Sequence, residues 1–289
     1  MDKHFFLIAL GILCLLPVSL FSRSRVVNDT IFSKKLNADR AYSVYLPPSF
    51  GEVQGKKYPV LYLFHGMSQT NQDWVGRGHV QEVADRLIYS QEAREMIIVM
   101  PDAGGDIYKE VWNGFFNMPG WLYEDFFFEE FLPYVENKYP IIGDKENRAV
   151  AGLSMGGGGA TGYGLWHADK FASVYAMSAL MSIPEEGAAR FNNPDSKLAI
   201  LTRTVIERSC IKRVTDADAG TIQALKSVRW FVDCGDDDFL LDRNIEFFQA
   251  MRKAGIPCQF RVRDGGHDWE YWHSALYRCL PFVSGTFNK

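Results

Sequence analysis

Residues 150–160 read VAGLSMGGGGA, and no other stretch constrains the chain as much. Ala149, Val150 and Ala151 are strand-like, the glycine-rich residues that follow are helix-like, and Ser154 sits at the junction inside Gly152-Leu153-Ser154-Met155-Gly156. A strand that turns directly into a helix holds the turning residue at strained backbone angles and crowds the two backbones, so that a neighbouring Cβ would collide. Glycines on either side of Ser154 relieve that crowding. The turn aims the Ser154 hydroxyl away from the sheet and leaves the Met155 amide at a helix N-terminus, where partial positive charge collects. The competing reading is local, because a serine ahead of a glycine run is also a good helix N-cap.

The rest of the chain supplies the sheet that such a turn needs. Short apolar runs at 60–64, 96–100, 149–153, 173–177, 230–234 and 258–262 read as strands, several of them continuous enough to be buried on both faces, and residues 40–46 alternate like an exposed strand. Helical patterns at 80–88, 123–139, 156–166, 244–254 and 269–282 lie between them. The alternation predicts the α/β class: a mainly parallel central sheet covered by helices on both faces. Ligands in such folds bind beyond the carboxyl ends of the strands. Residues 183–221 break the alternation with Pro184, Pro194 and many polar residues. They read as an insertion over the sheet's edge that could wall a site.

The chain has 289 residues, 47% hydrophobic and 23% charged, which suits an ordinary globular domain. A net charge of -4 gives no basic face, so nucleic acid is not an expected partner. Lys3 and His4 precede an apolar run over 5–21 broken by Pro17, and Ser22-Arg23-Ser24-Arg25 follow. This predicts a secretory signal over residues 1–24, cleaved after Ser22 or Ser24, ahead of one catalytic domain over 25–289. The location expected is secreted or periplasmic, with no stable membrane association once the signal is removed. A membrane anchor is the alternative. A lipoprotein at Cys14 is disfavoured by the bulky Leu13. Cys210, Cys234, Cys258 and Cys279 then remain. Their even number permits disulfides, although Cys234 and Cys258 lie in apolar runs and read as buried thiols. None has metal-ligand spacing.

A serine hydroxyl needs a base within hydrogen-bond reach. Among six histidines, His4 lies in the signal, and His79, His167 and His273 sit in or beside helical patterns that suggest solvated or packed side chains. His267, in Asp264-Gly265-Gly266-His267-Asp268-Trp269, follows the last strand and precedes the last helix. Imidazole groups titrate near pH 6.5 and so exchange protons readily near neutrality. An acid that orients the base should follow a strand between the two. Gly235-Asp236-Asp237-Asp238 does so. Asp238 is preferred because the glycine turn should return the third residue toward the strand ends. Asp236, Asp237 and Asp242 compete as turn or capping residues. A second oxyanion donor is expected in the loop after an early central strand, where Gly66 allows close approach and the Met67 amide would pair with that of Met155. His65 is read as ordering this loop rather than reacting.

The motifs LYLFHGM, AGLSMGG, DCGDDD and GGHDW, in this order and spacing, resemble the esterase D-like α/β-hydrolases. That family includes the feruloyl and acetylxylan esterases of carbohydrate esterase family one, S-formylglutathione hydrolases and mycolyltransferases. The resemblance covers essentially all of the chain after the signal and implies the α/β-hydrolase fold. It implies Ser154, Asp238 and His267 as the catalytic residues, Asp238 through the family's Gly-x-x-Asp pattern, and Met67 and Met155 as the oxyanion amides. It implies an acyl-enzyme mechanism with no metal or organic cofactor, and an ester substrate that is a small molecule or a polysaccharide. With export, feruloyl or acetyl esters of plant polysaccharide are expected. The alternatives are an S-formylglutathione hydrolase-like thioesterase, a sugar acyltransferase, and a binding protein that kept the fold without activity. Aromatic side chains near the expected site suggest stacking on a phenolic group or a sugar, with Trp112 and Trp269 as the named candidates. Asp102 and Asn113 are loop residues able to bind polar groups.

Overall fold

Eight strands form one sheet, and the apolar runs seen in the sequence are its centre. The computed structural model describes residues 23–288, so the expected signal segment and Cys14 lie outside the described residues, apart from Arg23 and Ser24. The strands are β1 (Arg25–Ser33), β2 (Ala38–Leu46), β3 (Val60–Phe64), β4 (Ile97–Pro101), a short hairpin of β5 (Asn117–Met118) and β6 (Trp121–Leu122), β7 (Arg148–Leu153), β8 (Ser173–Met177), β9 (Arg229–Gly235) and β10 (Cys258–Arg263). The main sheet has the order β1-β2-β4-β3-β7-β8-β9-β10. β1 and β2 run antiparallel to their neighbours, and the pairs from β4 to β10 are parallel.

Continuous apolar strands arise because helices cover both faces. Val60, Tyr62, Phe64, Val150, Val174 and Val232 face one core, shared with the helices Ser154–Trp166 and Leu241–Lys253. Leu61, Leu63, Ala149, Tyr175 and Phe231 face the other, shared with the helices Val80–Tyr89 and Trp269–Ser284. Odd and even residues of one strand thus enter opposite cores, as the two-residue period of a strand requires. The architecture is the expected α/β-hydrolase arrangement.

Three features depart from the sequence reading. β1 was not anticipated: it is an edge strand with several exposed residues and polar Asn28, Asp29 and Thr30, so it carries no apolar run. Residues 123–139 are helical but not uniformly α, because Phe126–Phe131 form a wider π turn that carries Phe126, Phe127 and Phe131 into the core. Residues 183–221 are mostly helical, with a 3-10 helix Glu185–Arg190 and helices Lys197–Glu207, Cys210–Thr215 and Ala219–Lys226. The helix Lys197–Glu207 packs on the hairpin strand β5 and on the short turn Ile107–Lys109, and the helix Cys210–Thr215 packs on the helices Ser154–Trp166 and Leu241–Lys253. The four described cysteines are free thiols, and Cys258 is only partly buried. Burial pushes the Cys210 and Cys258 thiols up to about 12. Among the described residues no helix is long and apolar enough to cross a membrane.

The helix Ser154–Trp166 sits so close to the sheet that its glycines are required. A Cβ on Gly156 would lie 2.3 Å from the His65 carbonyl oxygen, and one on Gly152 would lie 2.3 Å from the carbonyl oxygen of Gly156. Both obstacles are backbone and cannot rotate away. Gly156→Ala should therefore lose about 2 kcal/mol or more of stability in urea unfolding. Gly220→Ala, whose new methyl would meet nothing nearer than 3.6 Å in an exposed helix, should gain about 0.5–1 kcal/mol in the same measurement.

Candidate active site

Because β3, β4, β7, β9 and β10 all run parallel, their carboxyl ends open at one edge of the sheet, and the loops that leave them meet there. Ser154 follows β7 directly and has φ +53, a left-handed conformation rare for a residue with a side chain. Its carbonyl accepts the Leu180 amide at 2.9 Å, which ties the turn to the segment after β8.

The structure brings Ser154, Asp238 and His267 together. His267 Nε2 lies 2.9 Å from Ser154 Oγ, and Nδ1 lies 2.9 and 3.0 Å from the two carboxylate oxygens of Asp238. A carboxylate only accepts, so Nδ1 donates to Asp238 and Nε2 is left to accept the serine hydroxyl proton. Asp238 is buried. Burial alone would raise its pKa, but hydrogen bonds from His267, Ser178 and the Leu240 amide, with the histidine's charge, hold it below the usual carboxylate range. The competing aspartates have other places. Asp236 accepts the Gly265 amide through its side chain and is exposed, Asp237 is exposed, and Asp242 lies in the first turn of the next helix. The carboxylates of Asp236, Asp237 and Asp264 lie within 4.8 Å of one another and are the described group that could approach a cation, although all three are exposed.

The His267 ring is held on two sides. Trp272 meets it edge-on at 4.9 Å and donates its indole N–H to Ser178 Oγ, the hydroxyl that also reaches Asp238. Phe239 leans on it at 4.5 Å. Ser178, at φ +46 after β8, carried no signal in the sequence. Phe239 is adjacent to the acid and could have been found only from its exposure. The acid and histidine loops touch backbone to backbone, since a Cβ on Gly235 would lie 2.0 Å from the Gly265 carbonyl oxygen.

The Met67 amide lies in the loop after β3, and the Met155 amide lies at the start of the helix that follows β7. Met155 is the second residue of its helix, where amides lack an intrahelical acceptor. The Met67 N–H makes no hydrogen bond to the described residues. Asn113 is fully buried, and its Oδ1 accepts the neighbouring Ser68 amide at 3.3 Å, bracing that loop. Its Nδ2 has no partner among the described residues. Asp102 accepts the Gly104 amide and pairs with Arg40. Trp112 is partly buried and stacked on Trp121 with Lys197 over its ring. Trp269 is 9% exposed, packed between Trp74 and Trp272 and capped by Arg77, and so belongs to the core rather than to an open binding face.

His65 explains how the Met67 loop is shaped. It is buried, its Nδ1 lies 2.7 Å from the Gly66 carbonyl, and its Nε2 accepts the Ala103 amide at 3.0 Å. One nitrogen must donate and the other accept, so the ring is neutral. Burial lowers its pKa from the ordinary 6.5. The unfolded chain therefore binds a proton there that the folded chain refuses. Stability is fully present above pH 6.5 and is lost as the pH falls below it. His65 should account for up to about 1.4 kcal/mol per pH unit in that window. Urea unfolding between pH 8 and pH 5 should show a smaller pH slope in His65→Gln than in the wild type.

Comparisons with known proteins place the chain among esterases. The family model described as "Putative esterase" matches residues 33–283. A solved ferulic acid esterase is 66% identical and superposes with a TM-score of 0.89 over 92% of this chain and 100% of its own. An acetyl esterase of Caldicellulosiruptor saccharolyticus is 24% identical over 81% of this chain and 86% of its own length. A two-activity endo-1,4-beta-xylanase/feruloyl esterase of Xylanibacter ruminicola is 31% identical over 90% of this chain, which spans only 31% of that longer protein. The chain belongs to the esterase family and is a carboxylic ester hydrolase of the α/β-hydrolase fold.

Proposed function

We propose that this esterase releases feruloyl groups from plant polysaccharide through an acyl-enzyme on Ser154. The observation that carries the mechanism is the hydrogen-bonded line from Ser154 Oγ through His267 to Asp238. Ser154 Oγ attacks the ester carbonyl carbon while its proton passes to His267 Nε2. The carbonyl oxygen, now negative, is held by the Met67 and Met155 amides, and the helix that begins at Ser154 adds its positive end. The bond from carbon to the alcohol oxygen breaks, and His267 returns the proton to the leaving oxygen. Water then attacks the acyl-enzyme with His267 again as base, releasing the acid and restoring Ser154. Asp238 fixes the ring and stabilises the imidazolium without taking its proton.

Likeness to the ferulic acid esterase along its whole length supports the feruloyl group. Likeness to the bacterial acetyl esterase, at lower identity, favours acetyl as a second reading. Ser154→Ala should lower kcat/KM for methyl ferulate by roughly 10⁵–10⁶-fold, and Asp238→Asn by about 10⁴-fold. A Ser154→Ala protein that kept wild-type turnover would overturn the mechanism. Wild-type protein that releases acetate from acetylated xylan faster than it cleaves methyl ferulate would transfer the substrate reading to acetyl.

The N-terminal pattern supports export. Ser24 is buried, donates its hydroxyl to Asp85 at 2.6 Å, and has its carbonyl held by Gln81. Cleavage after Ser22 keeps these contacts, whereas cleavage after Ser24 discards them. N-terminal sequencing of exported protein is expected to begin at Arg23, and a cytoplasmic product retaining Met1 would count against export.

A further inference from the structure

We infer that Phe239 forms the platform on which the alcohol side of the substrate, a sugar ring, rests during acylation. The inference deepens the acyl-enzyme reading above and rests on it. In that reaction the leaving oxygen must come within hydrogen-bond reach of His267 Nε2, because that nitrogen returns its proton. A side chain that packs on the His267 ring and still faces solvent therefore borders the space of the departing alcohol. Phe239 meets both conditions: its ring centroid lies 4.5 Å from that of His267 at an interplanar angle of 47°, and the side chain is 76% exposed.

Position carries the argument, since single exposed apolar side chains are common on protein surfaces. Phe32, Val53 and Tyr89 are also well exposed, but among the described residues Phe239 is the exposed aromatic in ring contact with His267. Its place is set by a buried residue on each side. Asp238 is held by His267, and Leu240 donates its amide back to Asp238 at 2.8 Å, so the chain presents Phe239 outward at a fixed point. Trp272 packs on the same histidine but is 4% exposed and cannot offer a face. An aromatic face accepts the C–H side of a sugar ring, and the exposed carboxylates of Asp236 and Asp237 precede it in the same loop as acceptors for sugar hydroxyls. Methanol has no ring to lay on an aromatic face, so the platform should act on sugar esters selectively.

Methyl ferulate and a ferulate ester of arabinose give the same feruloyl-enzyme, so the ratio of their kcat/KM values isolates the alcohol side. Phe239→Ala should lower the ratio of arabinose ester to methyl ester by about five- to tenfold, and Phe239→Trp should restore it. A ratio unchanged in Phe239→Ala, whether both esters slow equally or neither slows, would overturn the inference and leave the acyl-enzyme reading intact. Wild-type protein that cleaves neither ester would overturn the feruloyl esterase reading and this inference with it.

Discussion

The close seating of the helix Ser154–Trp166 on the sheet is the constraint on which the site depends. With no Cβ on Gly152 or Gly156, the helix backbone rests against the end of β3 at His65 and Phe64. That contact forces the chain to turn within one residue, and Ser154 takes the strain at φ +53. The strained turn fixes the direction of the hydroxyl and presents the first helical amides to the same space. Packing and chemistry are therefore one property here. A looser helix would leave Ser154 free to relax into ordinary angles and withdraw its hydroxyl from His267.

The histidine half of the site is held by a different device. Asp233 is fully buried at the end of β9, where it accepts the hydroxyls of Tyr175 at 2.6 Å and Tyr271 at 2.5 Å and pairs with Arg261. This carboxylate links β8, β9, β10 and the last helix, the elements that flank the Asp238 and His267 loops. A buried charge is tolerable only when paired and hydrogen-bonded. With four hydrogen bonds from three side chains on three elements, Asp233 is satisfied and the elements are fixed relative to one another. Gly235 against Gly265, with Asp236 on the Gly265 amide, completes the junction.

Legibility in the sequence followed burial. Strands buried on both faces announce themselves as apolar runs, and Val60–Phe64 and Ser173–Met177 fall where those runs lie. Edge strand β1 has no such run, because solvent on its open side admits polar residues. The helices that begin within 183–221 lack long apolar patterns, but their starts are marked: Ser196, Ser209 and Asp218 each accept an amide three residues on. Trp269 packs among Trp74 and Trp272, and an aromatic residue on a helix start looks the same in sequence whether it faces a ligand or the core.

By itself, the sequence determined the fold class and the turn around Ser154, which depend on the period of apolar residues and on local glycine content, and its resemblance to a family of esterases implied the order of serine, acid and histidine along the chain. The glycine turn and the Gly-x-x-Asp resemblance already favoured Asp238, and the tertiary structure shows it buried against His267 while Asp236 and Asp237 are exposed. Three consecutive aspartates have the same local chemistry, and what distinguishes them is which one a glycine-tight junction turns inward toward His267. Tertiary structure alone placed Ser178 and Phe239 beside that histidine. Both lie far along the chain from Ser154, and contacts of that kind are set by how strands align, which no local pattern records.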